Sequence, residues 1–294
     1  MQKITVKEGN ERIDIYLAKI LDISRSKISK SDIIVNNKKV KSSYVVKEND
    51  IIEIPKIKEE ELAANPEKMN LDIVYEDDDI IVVNKQNGIV VHPAVGNTKH
   101  TLVNGLLYHS KQLSSKNGNF RPGIVHRIDA FTTGLLMVAK NDKSHEFLAK
   151  QLSEKTAHRK YVALVWGVIN NDTGTIDAPI GRDLNERKKM AVTSNGKAAI
   201  THFKVLERYK TATLIELKLE TGRTHQIRVH MNYIGHPVVN DPVYGRQKLI
   251  DNTGQCLHAK ELGFIHPITK KYMEFTSELP DCFINILNKL KEEK

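Results

Sequence analysis

An α+β protein in two parts is what this sequence predicts, on three observations. Strand-like runs with apolar side chains at alternate positions follow and precede runs with helical spacing. Residues 56–70, K-I-K-E-E-E-L-A-A-N-P-E-K-M-N, are charged, carry a proline and keep no period, which marks a connection between two units. A length of 294 residues suits one catalytic domain plus one small module. The expected division is residues 1–60, a linker at 61–70, and a larger domain at 71–294.

In the first unit, Ile13, Ile15, Tyr16, Leu17, Ile20 and Leu21 set apolar side chains at helical spacing, and Ser24 stands ready to cap a second helix from Arg25. Ile33 to Val35, Asn36-Asn37 and Lys38 to Val40 read as a hairpin, because asparagines tolerate the positive φ of a tight turn. Asp50 to Ile54 supplies another strand, closed by Pro55. Lys19, Arg25, Lys27, Lys30, Lys38, Lys39, Lys41 and Lys47 face only Asp22 and Asp32 in that window. Lys27 and Lys30 share a helix face, a small surface suited to phosphates or simply to water.

The larger unit opens with Ile73 to Tyr75, an acidic turn, and a strand from Ile80 to Asn84. Asn87-Gly88 then predicts a hairpin into Ile89 to His92, with Lys85 and His92 as solvated groups or contacts to a bound partner. A helix is expected over Thr101 to Ser110, and a polar loop over Lys111 to Asn119. Arg121 to Lys140 is the central stretch: a polar turn holding His126, Arg127, Asp129, Thr132 and Thr133, then the apolar strand Gly134 to Ala139. A carboxylate on a loop anchored to a buried strand is a candidate nucleophile or general base, although an aspartate in such a motif by itself more often caps its turn. Lys160 to Gly167 is an apolar strand with a polar start. Thr213, Ile215, Leu217 and Leu219 alternate as a half-buried strand, and Ile227, Met231 and Ile234 mark a helix ending at Gly235. A last helix near Asp281 to Lys291 buries Phe283, Leu287 and Leu290.

Composition narrows the partners. Lys and Arg number 45 against 36 acids, a net charge of +9, which suits a polyanion such as nucleic acid. Cys256 and Cys282, the only cysteines, form no C-x-x-C, so two inert thiols in a reducing cytoplasm are expected. No apolar signal core opens the chain and no apolar run approaches the roughly 18 residues of a membrane span, so a soluble, non-exported protein is expected. His225 and His230 are five apart with no acid between them, unlike a zinc-protease helix, and there is neither a G-x-G-x-x-G before a helix nor a Walker loop. No metal and no cofactor is expected.

H-R-I-D-A-F-T-T-G-L-L-M-V-A-K, His126 to Lys140, resembles the signature of the RluA/RluD family of RNA pseudouridine synthases, and other stretches fall in that family's order. These are D-I-I-V-V-N-K-Q-N-G-I-V-V-H-P, K-Y-V-A-L-V-W-G, T-G-R-T-H-Q-I-R-V-H, the turn Gly235 to Gly245 with Asn240 where glycine is usual, and Gln255 to Pro267. The N-terminal R-x-D-x-Y-L-A…S-R-S-x-I…V-N-x-K-x-V resembles the RNA-binding module named after small-subunit ribosomal protein S-four, with Asp32 and Asn37 in place of glycines.

The resemblance implies a catalytic domain on a mixed, largely antiparallel sheet, and conversion of specific uridines in structured RNA to pseudouridine. Large-subunit ribosomal RNA is the expected substrate, for a protein acting as a monomer away from membranes. It implies Asp129 as nucleophile, Arg223 as its ion-pair partner, and Tyr161 as the stacking residue and a candidate for the proton transfer. Arg228 is left to a phosphate or an internal acid, and His258 to a structural role. A buried carboxylate drifts toward protonation unless a cation holds it, which is why an arginine partner is needed. Arg127, His126 and Lys160, with Arg25, Lys27, Lys30 and Lys38, are the expected RNA contacts. A ribosome-assembly factor without activity would be expected to lack the carboxylate, arginine and tyrosine together; a glycoside hydrolase would need a second acid.

Overall fold

Asn36 and Asn37 take φ of 47° and 64°, closing the predicted hairpin between β2 (Ile33–Val35) and β3 (Lys38–Val40). That hairpin belongs to the smaller of two units, Met1–Glu61 and Leu62–Lys294, in a computed structural model. The structure describes residues 2–292 except 22, 24, 30, 56–63, 95–96, 119–120, 184–185, 187–188 and 246–248, and except the side chains of 26 and 27. The predicted cap at Ser24 and the contact at Lys30 lie outside the described residues, as does the side chain of Lys27.

In the small unit, β1 (Gln2–Thr5) pairs with β4 (Ile51–Ile54), which pairs with β2, and two helices, α1 (Ile13–Leu21) and α2 (Arg25–Ile28), complete it. Ile13, Leu17, Ile28, Ile33, Val35, Ile52 and Ile54 form its core, as the alternation and the helical spacing require. β1 is unforeseen: Q-K-I-T carries one apolar residue and is held by backbone pairing to an edge.

The large unit is one nine-stranded sheet. β5 (Ile73–Glu76), β6 (Ile80–Lys85), β7 (Thr133–Ala139), β8 (His158–Trp166), β9 (Thr173–Asp177), β12 (Ile200–Arg208), β13 (Ala212–Leu219), β14 (Leu257–Ile265) and β15 (Tyr272–Thr276) build it, with a separate ribbon of β10 (Ile180–Arg182) and β11 (Met190–Val192). The order is β5-β6-β7-β14-β8-β13-β12-β9, with β15 also on β14. Only β7 with β14 is parallel, so the sheet is mixed and largely antiparallel. Strand alternation sends Tyr161, Ala163 and Val165 of β8 into one core with α3 (Leu102–His109) and α5 (Gln226–Tyr233). Val162, Leu164 and Trp166 face the opposite core with α6 (Asp281–Glu292), and α4 (Asp142–Ser153) brings Leu148 to a neighbouring core with Leu135 and Met137.

Two sequence expectations fail here. Ile89 to His92 is no hairpin strand, because both edges of β6 are occupied, by β5 and β7. The carbonyls of Val90 and Val91 instead accept from the first amides of α3, Leu102 and Val103, at 2.8 and 3.0 Å. Nor do residues 64–70 behave as a linker: Ala64 is buried in the large core, and the Asn104 side chain donates to Asn65 O at 2.7 Å. Gly105, a helix-weakening residue, fits because a Cβ there would stand 3.0 Å from Leu71 and 3.2 Å from Met69.

Candidate active site

The loop of Asp129 and the N-terminal turn of α5 meet beside β8. Gly134 makes the junction possible: its φ is 105° and a Cβ would overlap the backbone of Ala259, so β7 lies against β14 only with hydrogen at that position. Thr133 Oγ1 reaches His258 Nδ1 at 2.8 Å and Ser277 Oγ reaches its Nε2 at 2.9 Å, which places His258 in the structural role expected. A cavity of about 430 Å³ opens there, lined among others by Asp129, Arg159, Tyr161, Arg223, His225 and Arg228.

Asp129 keeps 17 % of its side chain exposed and accepts from Arg228 Nη1 at 2.8 Å through Oδ2. This corrects the expected pairing with Arg223. Arg223 stands on the exposed turn before the helix and its Nε donates to Ala198 O at 3.0 Å. Arg228 is the third residue of α5, and side chains on a helix lean toward its N-terminus, here toward the Asp129 loop. Its fork is filled on the other side by Asp241, Nε to Oδ2 at 2.7 Å and Nη2 to Oδ1 at 2.9 Å. Burial works against the charge of Arg228, but its hydrogen bonds to Asp241 and the field of Asp129 outweigh it and raise its pKa. Asp241 is likewise held below the usual carboxylate range: burial pushes it up, and Arg228 with the amides of Val243 and Tyr244 pulls it down further.

His225 caps α5 with left-handed backbone, φ 56°, and no side-chain cap. Its ring serves the site instead, with Nδ1 at 2.8 Å from Tyr244 Oη and Nε2 at 3.7 Å from Asp129 Oδ1. Burial lowers its pKa, opposed by Asp129. Tyr161 lies on the cavity wall, 5 % exposed, and burial raises its phenol despite Arg159 nearby, which suits a stacking surface better than a base.

Four further expectations meet the coordinates. Lys160 is on the opposite face of β8 from Tyr161 and pairs with Glu261 at 2.7 Å, so it does not line the cavity as an RNA contact. His126 is held inside: its Nε2 accepts from Met137 N at 3.2 Å, and burial, with Arg159 adding to it, lowers its pKa to about 3. It lines the cavity as a neutral ring whose Nδ1 has no partner among the described residues. Lys85 and His92 are not solvated but 1 % and 4 % exposed. Arg127 is exposed, with Nη1 at 3.5 Å from His92 Nε2.

In the small unit Arg25 stays exposed while its Nη2 is oriented by buried Asp14 at 2.7 Å, and Lys38 is exposed. Asp32 takes Lys39 at 2.5 Å, reducing the local positive field. Asp77, Asp79 and His266 gather elsewhere in the large unit. There His266 Nδ1 accepts from the amides of Ile268 and Thr269 while Nε2 meets Asp77 at 2.8 Å, a turn fastening with no nitrogen left for a metal.

Sequence reasoning missed Asp241, Tyr244 and Arg159 as parts of this site, and weighed Lys85 only as a solvated group or an RNA contact. One signal was present: an arginine between apolar neighbours in Q-I-R-V-H-M has no acid at helical spacing and therefore needs one from elsewhere in the chain.

A mixed sheet carrying a carboxylate held by an arginine that Asp241 grips from its other side, a buried tyrosine and a basic rim defines a site suited to a ring-bearing polyanion. The comparisons place it more closely. A protein-family profile described as RNA pseudouridylate synthase matches residues 79–233, and the chain belongs to that family of isomerases. It is 52 % identical over 291 residues to an uncharacterized RNA pseudouridine synthase, YlyB, of Bacillus subtilis (strain 168), covering 97 % of this chain and 96 % of that one. It is 45 % identical over 301 residues to a ribosomal large subunit pseudouridine synthase D of Neisseria meningitidis serogroup B, covering 96 % of this chain and 79 % of the other. Among solved structures, human RNA pseudouridylate synthase domain containing 1 superposes with a TM-score of 0.61 at 30 % identity, covering 75 % of this chain and 87 % of that one.

Proposed function

We propose that the protein converts uridines of large-subunit ribosomal RNA to pseudouridine, with Asp129 as the nucleophile. The observation that carries the assignment of Asp129 is its position: a carboxylate on the cavity wall, bound by Arg228 at 2.8 Å, beside buried Tyr161. The uridine leaves its stack, a step of a few kcal/mol that exposed Arg127 offsets by filling the gap. Tyr161 stacks on the flipped base, Asp129 attacks the anomeric carbon, the uracil turns, and its carbon 5 joins the sugar. Arg223, exposed at the cavity, binds the RNA backbone in place of the role first expected for it. Arg25 and Lys38 of the small unit, which resembles the S-four module, bind RNA phosphates.

The ribosomal target rests on the likeness to the Neisseria ribosomal large subunit pseudouridine synthase D. No helix among the described residues is long and apolar enough to cross a membrane; that the enzyme meets its RNA in the cytoplasm and as a monomer belongs to the proposal. Mapping pseudouridines in ribosomal RNA from cells with and without the protein tests the target, and Asp129→Asn tests the nucleophile. The variant should bind RNA nearly as the wild type does and form no product. Substantial turnover by Asp129→Asn in a mass-spectrometric assay removes Asp129 from the mechanism.

A further inference from the structure

Lys85 ends β6 as a lysine 1 % exposed, among the largest fully buried side chains of the described protein. Its Nζ donates to three backbone carbonyls, Ala130 at 2.7 Å, Gln86 at 2.8 Å and Ile89 at 2.9 Å. Three acceptors require three N–H bonds, which only the ammonium form possesses; a neutral amine would turn its lone pair on one carbonyl. Ala130 follows Asp129 directly, so the ammonium grips the peptide unit next to the carboxylate. Burial brings this ammonium down to about 7, with the field of Asp129 opposing a further fall.

The charges around Asp129 explain why a second cation is needed. Arg228 is held bidentately by Asp241, and those two cancel. Asp129 is then balanced, in net charge, by Lys85. A charge buried without a counter-charge would protonate or move toward water.

We propose that Lys85 is the positioning residue of the nucleophile and the fixed counter-charge of the site. This deepens the reading of Asp129 as nucleophile and rests on it. In the first step a carboxylate oxygen bonds to the anomeric carbon and the bond from that carbon to nitrogen 1 breaks, its electron pair leaving on the uracil. The negative charge thereby passes from Asp129, now an ester, to the uracil, and no proton moves. Lys85 keeps its charge throughout, so the four groups Asp129, Arg228, Asp241 and Lys85 pass from a net charge of zero to +1 around the departing anion, in a cavity that Arg127, Arg159 and Arg223 also line. Such a preset charge favours the charge-separated state over the ground state.

The test uses the full-length protein and a ribosomal RNA fragment containing the target uridine, with enzyme in excess. An inactive fraction then does not alter the rate constant. Lys85→Met removes charge and donors at similar length; Lys85→Gln keeps two donors without the charge and serves if the methionine variant does not fold. Folding is established by a cooperative melt and RNA binding by half-saturation in the same titration. We expect the single-turnover rate to fall about 100-fold in each folded variant, with half-saturation changed less than threefold. Lys85→Gln at the wild-type rate overturns the proposal, as does a loss that appears in half-saturation rather than in rate. Asp129→Asn run in parallel separates the two ideas: turnover by that variant sinks the nucleophile assignment itself, whereas an inert Asp129→Asn beside a fast Lys85→Gln sinks only the role of Lys85.

Discussion

Arg228→Lys keeps a positive charge on α5 and removes the fork. In the wild type the guanidinium makes three charge-assisted hydrogen bonds, two to Asp241 at 2.7 and 2.9 Å and one to Asp129 at 2.8 Å. A lysine ammonium is a compact point charge on a flexible stem and cannot span two carboxylates with that geometry. Losing one such bond removes about 1.5–3 kcal/mol of positioning. At about 1.4 kcal/mol per factor of ten, the rate should fall on the order of 10- to 100-fold. Arg223→Ala, at the position sequence spacing favoured, should instead weaken half-saturation and leave the rate within threefold, because its Nε is engaged with Ala198 O and not with Asp129. The assay is release of tritium from carbon 5 of labelled uridine under single-turnover conditions, with a melt to confirm that each variant is folded. A wild-type rate for Arg228→Lys together with a hundredfold slower Arg223→Ala would refute the ion-pair assignment.

Other perturbations have equally definite outcomes. Tyr161→Leu removes an aromatic face from the cavity and should cost about 1–3 kcal/mol of stacking, a 5- to 150-fold loss in kcat/KM; an unchanged value would take Tyr161 out of substrate binding. Asn240→Gly should destabilise even though φ is 62° there and glycine adopts it freely. The asparagine side chain donates to Asp251 and Gly254 and accepts from the amides of Ile250 and Asp251, so a Tm at or above wild type would contradict its bridging role. Stability should fall as pH drops from 6.5 toward 4, because burial holds His92 and His258 at about 4 and His126 at about 3 while the unfolded chain binds those protons near 6.5. In that window the unfolded state carries more protons, so stability rises with pH; identical melting temperatures at pH 7 and 5 would show these rings to be solvated. Deleting residues 1–61 should weaken binding of long RNA and flatten its dependence on salt, read from the slope of log affinity against log salt.

Local chemistry carried much of this protein into view before any tertiary contact. Two consecutive asparagines close the β2–β3 hairpin because they tolerate left-handed backbone, and Asn240 substitutes for a glycine for the same reason. The alternation in β13, the buried strand after Asp129 and the apolar face of α6 follow from side-chain periodicity, which is a property of the chain alone. Asp129 and Tyr161 were legible as residues of one site because each sits where a distinctive stretch places it, at the start or just ahead of a buried strand.

Which cation meets Asp129 was not legible in that way. Arg223 and Arg228 lie five residues apart in one segment, and only the direction in which α5 points its side chains selects the second. Lys160 and Tyr161 are neighbours in sequence and occupy opposite faces of a sheet, so one lines the cavity and the other pairs with Glu261. Lys85 reads as a surface residue, and it is buried because the Asp129 loop supplies the carbonyl of Ala130 and the turn after β6 supplies those of Gln86 and Ile89. Periodicity is local, whereas the partner of a buried charge is chosen by whatever the fold brings within 3 Å, often from a hundred residues away.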